Sequence, residues 1–492
     1  MTPAGRGPII GGVPAPTDPD VSPLLSVRHA VDLLDAEPVS PRIVRLPLSK
    51  CRGLRLAKEV SADRDYPPFD KALMDGYAVR AADVRPDTVT AAAPAELPVV
   101  GEVPAGMPAP GPIGQGEAMA VMTGAPVPPG TEAVVPVEQT SEVHDGGAAG
   151  GGFVEARGRV RVTKGVPPGY AIARRGSDCP AGQVVLPAGT LLEAPALAVA
   201  ASVGAAELDV YARPRVAVLG TGDELVPVGT TPADWQIRNS NNVMLVALLD
   251  RLGCDVTDLG VVTDDPDAIR AAVAGGLAHD ALFVTGGMSM GNYDYVPAAL
   301  IDLGVDLKIT KVRLKPGKPF VFGRASGQSS VVSSEGGGDD SSGGTPFGAS
   351  SEGGAGGGEL RGGTSTTDHG RLTTDCFVFG LPGNPVSAFV CTVRLAARVL
   401  ARLAGGPPSD RWLTGRLAAG LPANGPREFY QPVIRTQPVG HTSAQNELPA
   451  VEVLAWKGSA DVFTLARANG LLVRAENEPA LPKGTMVRVM EI

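Results

Sequence analysis

The chain has 492 residues, enough for roughly three or four domains at about 100–200 residues each. Its 43 Lys and Arg stand against 52 Asp and Glu, a formal charge of −9, so composition supplies no basic face for displacing counterions from nucleic acid. No apolar run nears the roughly 20 residues of a membrane span, and five cysteines without a C-x-x-C pair exclude a disulfide framework or a thiolate zinc site and suit a reducing cytoplasm.

Residues 1–22 are rich in Pro and Gly, lack the apolar stretch of a signal peptide and read as a disordered leader. Ser26 then caps a short helix whose apolar positions are Val27, Ala30, Val31 and Leu34, and Pro38 closes it. From 62 to 178, short apolar runs alternate with Pro and Gly turns, the pattern of a β-rich domain. A small helix follows at 193–204, with Gly204 free to take the left-handed C-terminal conformation.

From Arg213 onward, strands and helices alternate. RPRVAVLG, CDVTDLGVV and ALFVTGG read as buried strands, and a helical stretch follows each, the second with Asp265 as N-cap and Pro266 at the first helical position. That spacing predicts a three-layer α/β domain with a mostly parallel sheet, whose ligands sit outside the carboxyl ends of the strands. PFVFG and DCFVFG read as a hairpin interrupted by a Gly/Ser-rich insertion at 325–370, expected to be disordered. Residues 411–492 return to short strands, a small C-terminal β domain.

Four loops follow strands in the α/β section. The first, LGTGDEL, opens like a dinucleotide fingerprint, but Leu225 replaces the third glycine. Its Asp223 and Glu224 would repel a bare pyrophosphate unless a hard cation such as Mg²⁺ lay between. The plain alternative is a turn that starts a capped segment. The second loop, TGGMSMGNYDY, carries Gly286, Gly287, Ser289 and Asp294, and its glycines can form a nest of backbone N–H groups for an anion. It also matches the G-x-S-x-G nucleophile elbow, but the downstream histidines, His369 and His441, fall in the insertion and in a polar loop of the last domain, which argues against a serine hydrolase.

The third loop, VRLKPGKPF, holds Lys315 and Lys318 between prolines, so two ammonium groups are presented for an anionic substrate. The fourth, GLPGNPVSAF, sets Asn384 as N-cap and Pro385 at the first helical position, a helix start suited to anions, with Ser387 in its first turn. Outside this section, Asp75 precedes Gly76 in FDKALMDGYAVR, Thr123 lies in the MTGAPVPPG turn, and RRGSD joins Arg174 and Arg175 to Asp178. A turn aspartate and a structural salt bridge are the plain readings of Asp75 and of the RRGSD stretch.

Taken together and in order, F-D-x-x-x-M-D-G-Y-A, M-T-G-A-P-V-P, R-R-G-x-D, T-G-D-E-L, R-N-S-N, G-G-x-S-x-G-x-x-D, K-P-G-K-P and L-P-G-N-P-V-S-A resemble the molybdopterin molybdenumtransferases, the MoeA family that includes the gephyrin E domain and its plant counterpart. The resemblance spans about 24–492 apart from the insertion. It implies a discontinuous domain I (23–61 and 179–212), a β-rich domain II (62–178), an α/β molybdopterin-binding domain III (213–405) and domain IV (411–492). It also implies a cytoplasmic homodimer whose clefts join domain III of one copy to domain II of the other.

The implied reaction inserts molybdate into the dithiolene of adenylylated molybdopterin, with Mg²⁺ and release of AMP; a non-catalytic molybdopterin-binding scaffold is the alternative. The substrate would arrive from a molybdopterin adenylyltransferase and the product pass to molybdoenzymes or cofactor-maturation proteins, with neither nucleic acid nor membrane involved. The resemblance carries catalytic acids onto Asp75, Asp178, Glu224 and Asp294, with Asp264 or Asp265 as a further acid. Thr123, Gly286, Gly287, Ser289, Lys315, Lys318, Asn384 and Ser387 become substrate-binding positions, and Glu224, Asp294 and Asp265 metal-binding ones. Met288, Met290 and Asn292 depart from the common G-G-V-S-V-G-D-Y-D loop, and the 325–370 insertion is foreign to the family pattern.

Overall fold

A computed structural model of the chain describes residues 24–143, 158–288, 295–326, 375–408, 410–436 and 448–492. The expected leader and all but the edge of the expected insertion lie outside the described residues. The chain divides into two compact units, one of residues 43–211 and one of residues 1–42 with 212–492.

In the larger unit a six-stranded sheet runs in the order Asp255–Val262, Arg215–Thr221, Ala281–Thr285, Cys376–Leu381, Val321–Ala325 and Val305–Ile309. The first three pairings are parallel and the last two antiparallel. Val321–Ala325 and Cys376–Leu381 form the expected hairpin, in register from Val321 opposite Gly380 to Ala325 opposite Cys376.

Strand residues alternate between two cores, as a pleated strand buried on both faces requires. Val216, Val218, Phe283, Phe377 and Phe379 face one way, toward the helices Val27–Ala36, Ser240–Arg251 and the helical run from Pro385 to Leu403. Ala217, Leu219, Leu282, Val284 and Val378 face the other, toward Pro266–Gly276 and Val296–Asp302. Phe283, Phe322, Phe377 and Phe379 are almost wholly buried, and Phe283 and Phe379 approach to 4.9 Å between ring centroids. Each such side chain contributes about 1.5–3 kcal/mol by leaving water.

Ser26 caps the first helix as expected, accepting from the His29 N–H, and Asp265 caps its helix by accepting from Ala268 N–H at 2.9 Å. The first helix packs on the α/β core: Ala30 and Leu34 join Leu395, Val399 and Leu400, and Asp35 pairs with Arg398. Sequence order groups this helix with residues 43–61, but its apolar stripe is buried against residues more than 350 positions away.

The C-terminal segment forms a second six-stranded sheet in the order Leu314–Lys315, Glu428–Thr436, Ala450–Val453, Trp412–Leu417, Met486–Glu491 and Gly470–Arg474, with Glu428–Thr436 also pairing Gly470–Arg474. Its first strand is borrowed from the α/β section. The smaller unit is β-rich. Its main sheet runs Ala133–Pro136, Gly76–Val79, Ala118–Val121, Ala95–Val103, Gly158–Val162 and Thr140–Val143, beside a two-stranded ribbon of Ile43–Pro47 and Glu207–Tyr211 and the helix Ala194–Ser202. Among the described residues no helix is long and apolar enough to cross a membrane.

Candidate active site

Three parallel strands of the α/β sheet end side by side, with Gly220 opposite Thr285 and Thr285 opposite Leu381. Their following loops are therefore neighbours, and glycines let them close on one another. Gly286, at φ +89°, lies so near the first strand end that a Cβ would stand 2.4 Å from the Thr221 carbonyl oxygen. A Cβ on Gly287 would meet Thr221 Oγ1 at 3.0 Å and Val296 at 2.8 Å, and one on Gly383 would touch Gly286 at 3.8 Å. The Gly286 N–H donates to the Leu381 carbonyl at 3.3 Å. That donor ties two strand ends together and is not turned outward for an anion. Met288 is buried over Gly380, where a β-carbon would lie 2.1 Å from its sulfur, so this departure from the family pattern packs against a strand end.

The first loop projects carboxylates. Asp223 and Glu224 are exposed, and Glu224 folds back over Gly222, whose added Cβ would stand 2.4 Å from Oε2. Asp223 accepts from the Asp264 N–H at 3.1 Å, joining this loop to the one after the neighbouring strand. Beside them a cavity of about 390 Å³ is lined by Gly222, Asp223, Asn239, Asn242, Asp258 and Thr263 among others. The Asn242 side-chain N–H₂ donates to Asp258 and Gly260, while its buried Oδ1 has no hydrogen-bond partner among the described residues.

Both lysines of the third loop are exposed. Gly317 between them, at φ +122°, packs so closely that a Cβ would lie 2.7 Å from Cys391 Sγ, which seats the loop against the end of the helix Pro385–Cys391. Lys315 Nζ lies 4.2 Å from the centroid of the Phe429 ring.

The fourth loop differs from expectation. Asn384 holds the N-cap position, but its side chain makes no cap; it donates to Ser459 Oγ at 3.0 Å, while the Val386 N–H donates to the Ser459 carbonyl at 3.0 Å. A residue 75 positions away thus takes a donor that the helix start would otherwise offer to an anion. Ser387 is buried in the same turn.

In the smaller unit Asp75 and Thr123 meet directly: Thr123 donates to Asp75 Oδ1 through its backbone N–H and its hydroxyl. The arginines of RRGSD do not pair with Asp178. Arg174 pairs with Asp70 at 2.6 Å and Arg175 with Asp65 at 2.7 Å, and the exposed Asp178 accepts from Ser177 Oγ at 3.3 Å. Ser289, Asp294, His369 and His441 lie outside the described residues. Among the described residues no three His, Cys, Asp or Glu side chains gather into a metal-binding group. Four of the five cysteines are buried and unpaired; burial pushes the Cys254 thiol up to about 12 and raises Cys376 and Cys391 as well, so none of these three is a thiolate near neutrality. The sequence held no local signal for Phe429 or Ser459, which reach these loops only through the fold.

Three family models match consecutive stretches: the MoeA N-terminal region (domain I and II) over 25–204, the probable molybdopterin binding domain over 217–402 and the MoeA C-terminal region (domain IV) over 414–492. Molybdopterin molybdenumtransferase 2 of Mycobacterium tuberculosis is 32% identical over 464 residues, covering 92% of this chain and 95% of that protein. The molybdopterin molybdenumtransferase of Synechococcus elongatus is 37% identical over 320 residues, or 63% of this chain and 74% of the relative. The crystal structure of a molybdopterin biosynthesis MoeA protein from Pyrococcus horikoshii superposes with a TM-score of 0.69 at 25% identity, covering 95% of this chain and 99% of that one.

Proposed function

This chain belongs to the molybdopterin molybdenumtransferase family and is a transferase of molybdenum cofactor biosynthesis, and from that premise we propose that it inserts molybdate into the dithiolene of adenylylated molybdopterin and releases AMP. The observation that carries the reading is the convergence at one sheet edge of tightly packed glycine loops and the folded-back Glu224 carboxylate. Lys315 and Lys318 supply the positive charge that the molybdate dianion needs, counting most where water is partly excluded. The cavity beside Asp223 is within the usual size range of small-molecule sites and is open to part of the pterin nucleotide.

The residues fit Mg²⁺. A magnesium ion needs only one or two protein carboxylates, with substrate phosphates and waters completing its shell. Glu224, folded over Gly222, offers hard oxygens at the strand ends. Glu224 and Asp294 would hold the ion, with Asp265 contributing only through the oxygen that its helix cap leaves over. Bound there, Mg²⁺ would neutralise charge on the phosphates. In this reading Gly286 and Gly287 shape the pterin side of the site, Ser289 contacts substrate, Asn384 and the buried Ser387 hold the helix start that borders it, and Asp75, Thr123 and Asp178 close it from a second copy in a cytoplasmic homodimer. Hand-off from a molybdopterin adenylyltransferase and to molybdoenzymes completes it.

A single-turnover assay tests the proposal. Purified protein mixed with adenylylated molybdopterin, Mg²⁺ and molybdate should release one AMP per site and yield molybdenum-molybdopterin. Tight binding of the pterin with no AMP released would overturn the catalytic reading and leave the scaffold.

A further inference from the structure

We propose that the C-terminal sheet is part of the oxyanion machinery, with Phe429 as a positioning residue for Lys315. The inference rests on the reading of Lys315 as a molybdate-binding residue. With Leu314, Lys315 forms a two-residue strand that pairs in parallel with Glu428–Thr436, which sets Lys315 opposite Phe429. Residues in register on adjacent strands share a face and touch. Here the ammonium group sits 4.2 Å from the centroid of the ring. The ring is backed by Trp456, 6.0 Å away between centroids. Three residues beyond Trp456, Ser459 holds the Asn384 side chain and the Val386 N–H. One short stretch of the C-terminal segment thus supports both the lysine and the start of the helix at Pro385.

The chemistry of the support matters. A lysine side chain has several rotatable bonds and costs up to about 2 kcal/mol of rotamer entropy to fix in place. A carboxylate could fix it, but would cancel the charge that a dianionic substrate needs. An aromatic face attracts the ammonium through its quadrupole and leaves the full positive charge available. Among the described residues no carboxylate forms an ion pair with Lys315, and its side chain is exposed. Phe429 therefore steers Nζ without neutralising it.

The test is a double-mutant cycle read as the molybdate concentration giving half-maximal single-turnover AMP release. Phe429→Leu should raise that concentration roughly two- to fivefold, the range of an exposed cation–π contact, while affinity for the adenylylated pterin and the melting temperature hold. Phe429→Tyr, which keeps the ring, should restore the wild-type value. In a Lys315→Met background Phe429→Leu should have no further effect. If Phe429→Leu does not fold, Phe429→Met takes its place, because its flexible apolar chain fills the same space. An equal shift from Phe429→Leu in both backgrounds overturns the inference, since the ring then acts through general packing. A shifted curve for Lys315→Met with an unmoved one for Phe429→Leu overturns it too, leaving the lysine's role standing. An unmoved curve for Lys315→Met overturns the molybdate reading of the lysine and this inference with it.

Discussion

Thr123 donates twice to the same oxygen of Asp75: its backbone N–H lies 2.6 Å from Oδ1 and its hydroxyl 2.7 Å. Two glycines make the meeting possible. A Cβ on Gly76 would stand 2.1 Å from the Val135 carbonyl oxygen, and Gly124 turns the chain at φ +83° directly after Thr123. The motifs around Asp75 and Thr123 thus form one device, although 48 residues separate them.

These two bonds, the backbone one foremost, hold the Asp75 carboxyl below its usual range. A depressed carboxylate contributes stability that is fully present above its unfolded value, about 3.9, and lost as pH falls through the lower folded value. Thr123→Val removes the hydroxyl and keeps the N–H, so the Asp75 titration should move up part of the way toward 3.9. The stability gap between wild type and variant should be open at neutral pH and close in strong acid. Carboxyl ¹³C NMR across pH 2–6 reads the first effect and urea unfolding the second. A titration that does not move would show that the hydroxyl is idle.

Glu224→Gln should leave the fold intact and stop AMP release. The side chain is exposed and folds over Gly222, so removing its charge disturbs little of the core. What it removes is one hard anionic ligand for Mg²⁺ beside the phosphates. Circular dichroism should match wild type, while single-turnover AMP release falls by two or more orders of magnitude, about 3 kcal/mol of barrier. Normal release at limiting Mg²⁺ would remove Glu224 from the metal's surroundings.

Gly286→Ala should be among the more damaging single-methyl changes in the α/β sheet. The added carbon meets the Thr221 carbonyl at 2.4 Å, and the backbone sits at a positive φ that alanine resists. A loss of about 2–3 kcal/mol is expected, together with weaker pterin binding as the two loops are forced apart. Gly275→Ala supplies the contrast. It lies within the helix Pro266–Gly276 with nothing within 4 Å of its Cβ, and should stabilise by about 0.5–1 kcal/mol. Chemical unfolding of the two variants should give shifts of opposite sign.

What the sequence made legible follows the range of the forces involved. Ser26 and Asp265 act on residues three positions away and Pro266 directly follows its cap, so their roles can be read from the text. The strand alternation from Arg213 is local too, and the fold keeps it. Asn384 shows where this reading ends. Its place at the helix start is local, but its side chain bonds Ser459, which no spacing rule ties to it. Lys315 looks like a proline-held loop residue and is in fact a strand residue against Phe429. The arginines beside Asp178 find Asp65 and Asp70, over 100 positions away, because their loop is folded back on that stretch. In each case long-range pairing set the outcome, which only the assembled sheets determine.

The last prediction concerns assembly. Asp75 and Thr123 belong to the compact unit of residues 43–211, and Glu224, Lys315 and Lys318 to the other. In the proposed homodimer each cleft draws these two sets from different copies, and a two-fold arrangement gives two equivalent clefts. Mixing Asp75→Asn with Glu224→Gln subunits then makes heterodimers in which one cleft carries both lesions and the other carries neither. Random exchange of equal amounts puts half of the dimers in this mixed form, so about a quarter of wild-type turnover should return although each variant alone is inactive. If instead each cleft used both sets from a single chain, every cleft in every dimer would keep one lesion and no activity would reappear. Native mass spectrometry of subunits carrying different tags establishes that exchange has occurred. Exchange without recovered AMP release overturns the shared cleft.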